Sequence, residues 1–155
     1  MKIKQKILNS LNFKLTDDQK KSIAAINKDL KSKHKMFRLL QGDVGSGKTI
    51  VSIISAINTI KSGYQVAFMV PTEILAIQHY NFIKNNFGKF CNLEILTSKT
   101  ENKKKQQIIE LLNLNKINFI VGTHSLFQKK INFSKLGLII IDEQHKFGVN
   151  QRKKL

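Results

Sequence analysis

Cysteine and proline are almost absent from this chain, and so are long apolar runs. The single cysteine, Cys91, excludes an internal disulfide and is typical of a reducing compartment. No apolar stretch reaches membrane-spanning length, and no signal-type apolar segment follows the charged N-terminus. The one proline, Pro71, is accompanied by no low-complexity linker. We therefore expect residues 1–155 to form one cytoplasmic domain, with Cys91 as a small buried hydrophobic residue.

Acidic residues are also scarce, since 10 Asp and Glu stand against 27 Lys and Arg and leave a formal net charge of +17. Such an excess favours a polyanionic partner, most often nucleic acid. The chain is rich in Lys, Asn and Ile throughout, so a coding preference explains the positive charge as well as a nucleic-acid partner does. Several of the few acids lie in motifs: Asp43, Glu73, Asp142 and Glu143. Negative charge beside bound phosphates makes sense when a metal cation is also bound.

What the chain does contain is a phosphate-binding loop, with the pattern G-x-x-x-x-G-K-[ST] matched at every fixed position. The candidate nucleotide-binding residues are Gly42, Asp43, Val44, Gly45, Ser46, Gly47, Lys48 and Thr49. Glycines let successive backbone N–H groups turn towards phosphates, and the following helix directs its positive end at them. Lys48 can reach the β- and γ-phosphates, and the Thr49 hydroxyl can face Mg²⁺. The alternative is a glycine-rich strand-to-helix turn that binds nothing.

The sequence around the loop predicts alternating strands and helices. Residues 36–40 are suited to a buried strand before the loop, and an apolar helix is expected from the loop to Lys61, with a stop at Gly63. Further strands are predicted at residues 65–70, 93–96, 117–121 and 138–141, and further helices at 16–33, at 71–88 and around 108–112. This alternation indicates an α/β fold, with a mainly parallel sheet covered by helices on both faces. Ligands then bind at the carboxyl ends of the strands.

A second motif follows the last predicted strand, where four aliphatic residues precede Asp142 and Glu143. A buried strand would deliver Asp142 to the sheet edge, where its carboxylate can hold Mg²⁺ directly or through water. Glu143 is then placed to orient and deprotonate an attacking water. Alone, an apolar strand that ends in Asp-Glu is often only a solvated strand end. Its pairing with the loop at residues 42–49 favours a nucleotide site.

Five segments of the chain, taken in order, resemble superfamily 2 helicases and, among these, the RecG-type helicases of branched DNA. They are residues 13–19, 42–49, 71–79, 121–128 and 141–152, and the last contains Asp142-Glu143-Gln144-His145. Transcription-repair coupling factors are similar, but they typically carry an aromatic residue at the Ser46 position and Glu at the Gln144 position. The resemblance implies a RecA-like P-loop NTPase domain that uses ATP and Mg²⁺.

The resemblance also implies residue roles. Lys48, Asp142, Glu143 and His145 would be catalytic, with His145 sensing the γ-phosphate, and Thr49 and Asp142 would hold Mg²⁺. The segments Pro71-Thr72-Glu73 and Gly122-Thr123-His124 would contact DNA. Phe13 would pack near the base or anchor the core, and the role of residues 147–152 is open.

Gln19 has two competing interpretations. The resemblance implies that its amide recognises adenine, whereas the spacing from Thr16 is that of a capping box, with Thr16 as the N-cap of a helix. The chain departs from the family after the strand at residues 93–96, where Thr97-Ser98-Lys99-Thr100 replaces the usual Thr-Gly-Ser. Lys99 or Lys103 could supply the missing DNA contact electrostatically.

The implied function is an ATP-binding motor domain that couples hydrolysis to translocation on branched DNA in fork reversal, recombination and repair. The second motor domain and the N-terminal wedge domain of such helicases are expected to be missing from residues 1–155. We therefore expect a monomer that binds Mg·ATP but turns it over poorly. The alternatives are a translocase domain like that of transcription-repair coupling factor, or a non-catalytic nucleotide-binding remnant. Neither the Leu-Ser-Gly-Gly-Gln signature of transporter ATPases nor the Asn-Lys-x-Asp of GTPases occurs.

Overall fold

The computed structural model describes residue 9 and residues 14–42, 47–128 and 130–143. Its helices are α1 (Asp17–Leu30), α2 (Lys48–Lys61), α3 (Glu73–Phe87) and α4 (Asn102–Asn113). Its strands are β1 (Gln65–Met69), β2 (Leu93–Leu96), β3 (Phe119–Gly122) and β4 (Leu136–Ile141). Short 3₁₀ turns at Gly88–Phe90 and His124–Phe127 follow α3 and β3. From α2 to β3 the helices and strands alternate as the sequence predicts, whereas α1 and α2 follow one another with no described strand between them.

The four strands form one sheet in the order β2-β3-β1-β4, and every neighbouring pair is parallel. Met69 at the end of β1 is in register with Gly122 of β3 and with Ile141 of β4. Leu96 of β2 is likewise in register with Gly122. All four strands therefore end level with one another, and the segments that follow them leave the sheet along a single edge.

Helices cover both faces of the sheet, because side chains alternate between the faces along each strand. Val66 and Phe68 of β1 belong to one buried cluster, which also contains the apolar faces of α1, α2 and α3. Ala67, between them, belongs to a second cluster with Ile108 and Leu112 of α4. The predicted α/β architecture is thus confirmed, and two separate cores hold the sheet between its helices.

Local sequence signals set the ends of the helices. α1 begins after Thr16 with a complete capping box, and Gly63 takes a left-handed backbone (φ +87°) just after α2. α2 is buried on almost every side, which explains why its apolar residues follow no single stripe. None of the helices within the described ranges is long and apolar enough to cross a membrane.

The predicted strand at residues 36–40 is wrong. The segment has no regular structure and pairs with none of the described strands. Met36 and Leu40 contact the core. Phe37, however, is 94% exposed and Leu39 is 73% exposed. The physical reason is that an apolar run becomes a strand only beside a partner, because its backbone groups need a ladder. Arg38 instead pairs with Asp29 of α1.

The opposite edge of the sheet is held by Gln65, which is fully buried. Its Nε2 donates to the carbonyl oxygens of Leu112 and Ile117, both at 2.8 Å. Its Oε1 accepts from the backbone N–H of Lys135 at 2.9 Å. One amide therefore joins the first residue of β1 to the connections that lead into β3 and β4.

Candidate functional site

The carboxyl ends of the strands bring the sequence-predicted motifs together. Pro71 to Glu73 follow β1, Thr97 follows β2, Thr123 and His124 follow β3, and Asp142 and Glu143 follow β4. Two backbone hydrogen bonds continue the ladder beyond the strands, from Val70 N–H to Gly122 O at 2.9 Å and from Asp142 N–H to Met69 O at 3.0 Å. The position of Asp142 is therefore fixed by the sheet itself.

The phosphate-binding loop ends at a helix N-terminus, as predicted. Gly47 is the N-cap of α2 in the left-handed region (φ +79°), and Lys48 and Thr49 open the helix. Gly47 makes no side-chain cap bond at this end, and the N–H groups of a helix N-terminus are a typical binding position for an anion. The Lys48 ammonium donates to Gly42 O, across the loop. Asp43, Val44, Gly45 and Ser46 lie outside the described residues.

Gln19 makes the capping box and also lies against the loop. Its Oε1 accepts from Thr16 N–H at 2.9 Å, and Thr16 Oγ1 accepts from Gln19 N–H at 3.2 Å. Its Nε2 lies 2.2 Å from where a Cβ on Gly47 would stand. The capping prediction is confirmed, with the amide oxygen in the cap and the amide nitrogen beside Gly47. Adenine recognition stays a prediction.

Asp142 lies at the end of β4, an outer strand of the described sheet, and its surroundings favour the ionised carboxylate. Its pKa is lowered, first by a hydrogen bond from His79, against the opposing effect of burial, and further by Glu143 N–H and the charge of Lys48. The His79 Nε2 lies 3.3 Å from Asp142 Oδ2, and Glu143 N–H donates to Oδ1 at 2.9 Å. The charge of Lys48 is the smallest of the effects that lower the pKa of Asp142.

Glu143 adopts a positive φ of 55°, a backbone region that residues other than glycine and asparagine seldom occupy. Such strain is concentrated at functional sites, where the surrounding structure holds it in place. Here the bond from Glu143 N–H to Asp142 Oδ1 holds it. The arrangement turns the chain sharply after β4.

The donor set fits Mg²⁺ bound with a nucleotide better than a metal held by protein alone. The described residues contain no cluster of three or more His, Cys, Asp or Glu side chains. Mg²⁺ usually binds through one or two carboxylates together with waters and substrate phosphates. The Asp142 carboxylate and the Thr49 hydroxyl at the first turn of α2 are donors of that kind.

The predicted DNA-contacting segment after β1 begins a helix. Thr72 is the N-cap of α3, and its Oγ1 accepts from Leu75 N–H at 3.3 Å. Glu73 does not project freely, because its carboxylate accepts from Thr97 Oγ1 at 3.3 Å and lies 3.0 Å from Lys99 Nζ. Lys99 is thus already paired with an acid, which reduces the charge it can offer to a phosphate.

The second predicted DNA-contacting segment, after β3, divides into buried and exposed parts. A Cβ on Gly122 would stand 2.2 Å from Leu96 O, so the close approach of β2 and β3 requires glycine there. The Thr123 side chain is buried, and its hydroxyl lies 3.2 Å from Ser125 Oγ. His124 is exposed. The Thr123 hydroxyl is therefore turned inwards, and His124 is the exposed residue of this segment.

Sequence reasoning missed His79 as a site residue, although the segment that contains it was singled out. A usable signal existed, since Thr72, Ala76, His79 and Ile83 are spaced by three or four residues and share one face of α3. Ala76 and Ile83 are fully buried, and a polar side chain on such a face needs a partner. The predicted residues Phe13 and His145, and the segment 147–152, lie outside the described residues.

Comparison with known proteins agrees with this geometry. The profile of the DEAD/DEAH box helicase family matches residues 16–155. The chain is 49% identical over 152 residues to the ATP-dependent DNA helicase RecG of Borreliella burgdorferi, which covers 97% of this chain. It is 46% identical over 155 residues to that of Thermotoga maritima, which covers 99% of this chain.

A solved structure of RecG bound to a three-way DNA junction superposes with a TM-score of 0.88 at 44% identity and covers 95% of this chain. The chain spans only 22% of the Borreliella relative, 20% of the Thermotoga relative and 20% of the solved chain. The similarity is therefore to one part of a longer helicase. Because the family profile covers nearly all of its sequence, this chain belongs to the DEAD/DEAH box helicase family.

Proposed function

We propose that residues 1–155 form the first RecA-like motor domain of a RecG-type DNA helicase, which binds Mg·ATP between the loop 42–49 and Asp142-Glu143. The observation that carries this proposal is the level edge of the sheet, where β4 presents Asp142 close enough to Lys48, at the start of α2, for the lysine's charge to lower the pKa of Asp142. The names of the RecG relatives, ATP-dependent DNA helicases, support the same reading.

The side chains divide the work of ATP hydrolysis. Lys48 and the first N–H groups of α2 bind the β- and γ-phosphates, and Thr49 and Asp142 hold Mg²⁺. When bound, Mg²⁺ neutralises charge on the phosphoryl group being transferred. Glu143 orients the attacking water and accepts its proton, and His145 senses the γ-phosphate. Gln19 presents its amide nitrogen to the adenine side of the loop.

The DNA partner would lie along the same edge. Within the two segments 71–73 and 122–124, we assign the contacts with a sugar-phosphate backbone to exposed His124 and to exposed Thr72 at the start of α3. A relative solved on a three-way junction supports branched DNA as the substrate, in fork reversal, recombination and repair. The second motor domain and the wedge domain would belong to the rest of such a helicase. Residues 1–155 alone would be a monomer, and would hydrolyse ATP poorly because the second motor domain contributes to the ATPase site.

The test is nucleotide binding by the purified chain, measured with a fluorescent, non-hydrolysable ATP analogue in the presence of Mg²⁺. Lys48→Ala removes a charged hydrogen bond to phosphate, so affinity should fall by about 10-fold or more. The matched control is Lys28→Ala, which removes an exposed lysine from α1 and should leave binding unchanged. An unsubstituted chain that fails to bind the analogue, or equal losses in both variants, would refute the proposal.

A further inference from the structure

His79 lies where α3 faces the end of β4. It is on the inward face of α3, with Ala76 and Ile83 one turn away on either side, and its side chain is only 14% exposed. Its ring packs against that of Phe68 in β1, with ring centroids 4.9 Å apart and an interplanar angle of 41°. The imidazole is thus held by packing before any ligand binds.

The other side of the imidazole faces Asp142. The Nε2–H donates to Oδ2 across 3.3 Å, and Glu143 N–H donates to Oδ1, so each oxygen of the carboxylate has one protein donor. Two donors on two oxygens fix the rotation of the carboxyl plane. They still leave lone pairs on both oxygens for a cation, because each carboxylate oxygen can accept more than one bond.

We propose that His79 is a positioning residue for Asp142, and that it holds the carboxylate in the orientation that binds the divalent cation of the bound nucleotide. The proposal rests on the proposed function, because it takes Asp142 as a cation ligand. Residues that hydrogen-bond to a metal ligand and orient it typically lower metal affinity about 10- to 100-fold when they are removed, and we expect a loss of about that size here.

The same contact connects the two halves of the candidate site. α3 starts at Thr72, in the segment proposed to contact DNA, and His79 lies seven residues later, about 10 Å along a rigid helix. A displacement of α3 that accompanies DNA binding would therefore reach Asp142 through His79. The connection consists of one helix and one hydrogen bond.

The experiment measures the Mg²⁺ concentration that gives half-maximal binding of the fluorescent, non-hydrolysable ATP analogue. His79→Leu removes the donor, and we expect a rise of about 10-fold in that concentration, with little change in binding of the analogue without Mg²⁺. His79→Gln places an amide nitrogen at similar reach and should restore the original value to within about threefold. A merely structural role would change both binding modes together, and the amide would not rescue it.

The matched control is His34→Leu, at an exposed histidine before the loop, and circular dichroism verifies folding of each variant. If His79→Leu and the unsubstituted chain both bind the analogue with the same dependence on Mg²⁺, the role of His79 is refuted and the proposed function is not. Failure of His79→Gln to restore a lost dependence would also overturn it. Absence of any Mg²⁺ effect in the unsubstituted chain would overturn the proposed function and this inference together.

Discussion

At the scale of single residues, Cys91 illustrates how the surroundings change ordinary chemistry. It follows the turn after α3, packs against the larger core, and its Sγ lies 3.7 Å from Phe87 O. Burial raises the pKa of its thiol to about 11, from 9.0. Since the thiolate is the reactive form, the folded protein should protect this residue.

We predict that folded Cys91 reacts with iodoacetamide at pH 8 about 100-fold more slowly than an exposed thiol, because a rise of two pKa units lowers the thiolate fraction by that factor. The rate should keep rising with pH towards 11. As the only cysteine, it can be followed by mass spectrometry of the whole chain. The urea-unfolded chain is the control and should react at the ordinary rate; equal rates in both states would contradict the prediction.

Residue identities in the site were largely readable from the sequence, but their contacts were not. The fixed spacing of a phosphate-binding loop identifies Lys48 and Thr49 directly. The four aliphatic residues at 138–141 identify Asp142, which follows them. The partnership of Asp142 with His79 joins residues from two distant motifs, and only the packing of α3 against β1 brings them together. Likewise, nothing in the local pattern indicates that Thr123 turns its hydroxyl towards Ser125.

At the scale of elements, α1 depends on its N-terminal capping box. Thr16→Ala removes the hydroxyl that accepts from Gln19 N–H, and we expect a loss of about 1 kcal/mol in the free energy of unfolding. Urea denaturation followed by circular dichroism measures it. Thr16→Ser keeps the hydroxyl and should retain most of the stability. A Thr16→Ala chain as stable as the original would show that the box contributes nothing.

Elements with local signals were predicted well, and the one that depends on a neighbour was not. α1, α2 and α3 begin beside their caps, and β2 matches its predicted bounds. Residues 36–40 have the composition of a strand, but a strand also needs an adjacent ladder, which composition cannot reveal. In the described sheet residues 36–40 pair with neither outer strand, β2 or β4. Local propensity alone was therefore not enough to produce a strand.

At the scale of the whole molecule, the net charge of +17 should dominate encounters with DNA. With about three phosphate contacts on a single strand, the affinity should fall about 20-fold between roughly 50 and 200 mM salt. Lys103→Gln, at the exposed start of α4 after β2, should lower the logarithmic salt slope by about one. Lys28→Gln on α1 is the control and should leave the slope unchanged. Fluorescence anisotropy at several salt concentrations measures both slopes, and identical slopes would place the DNA elsewhere.

The buried amide of Gln65 has a consequence for how the molecule can open. Because Leu112 O, Ile117 O and Lys135 N–H all bond to one side chain, freeing either connection leaves one end of the buried Gln65 amide without its partner. The two connections are thereby made to unfold together rather than fray one at a time. The amino-terminal edge of the sheet should therefore open as one unit, through the loss of a single buried side chain's bonds.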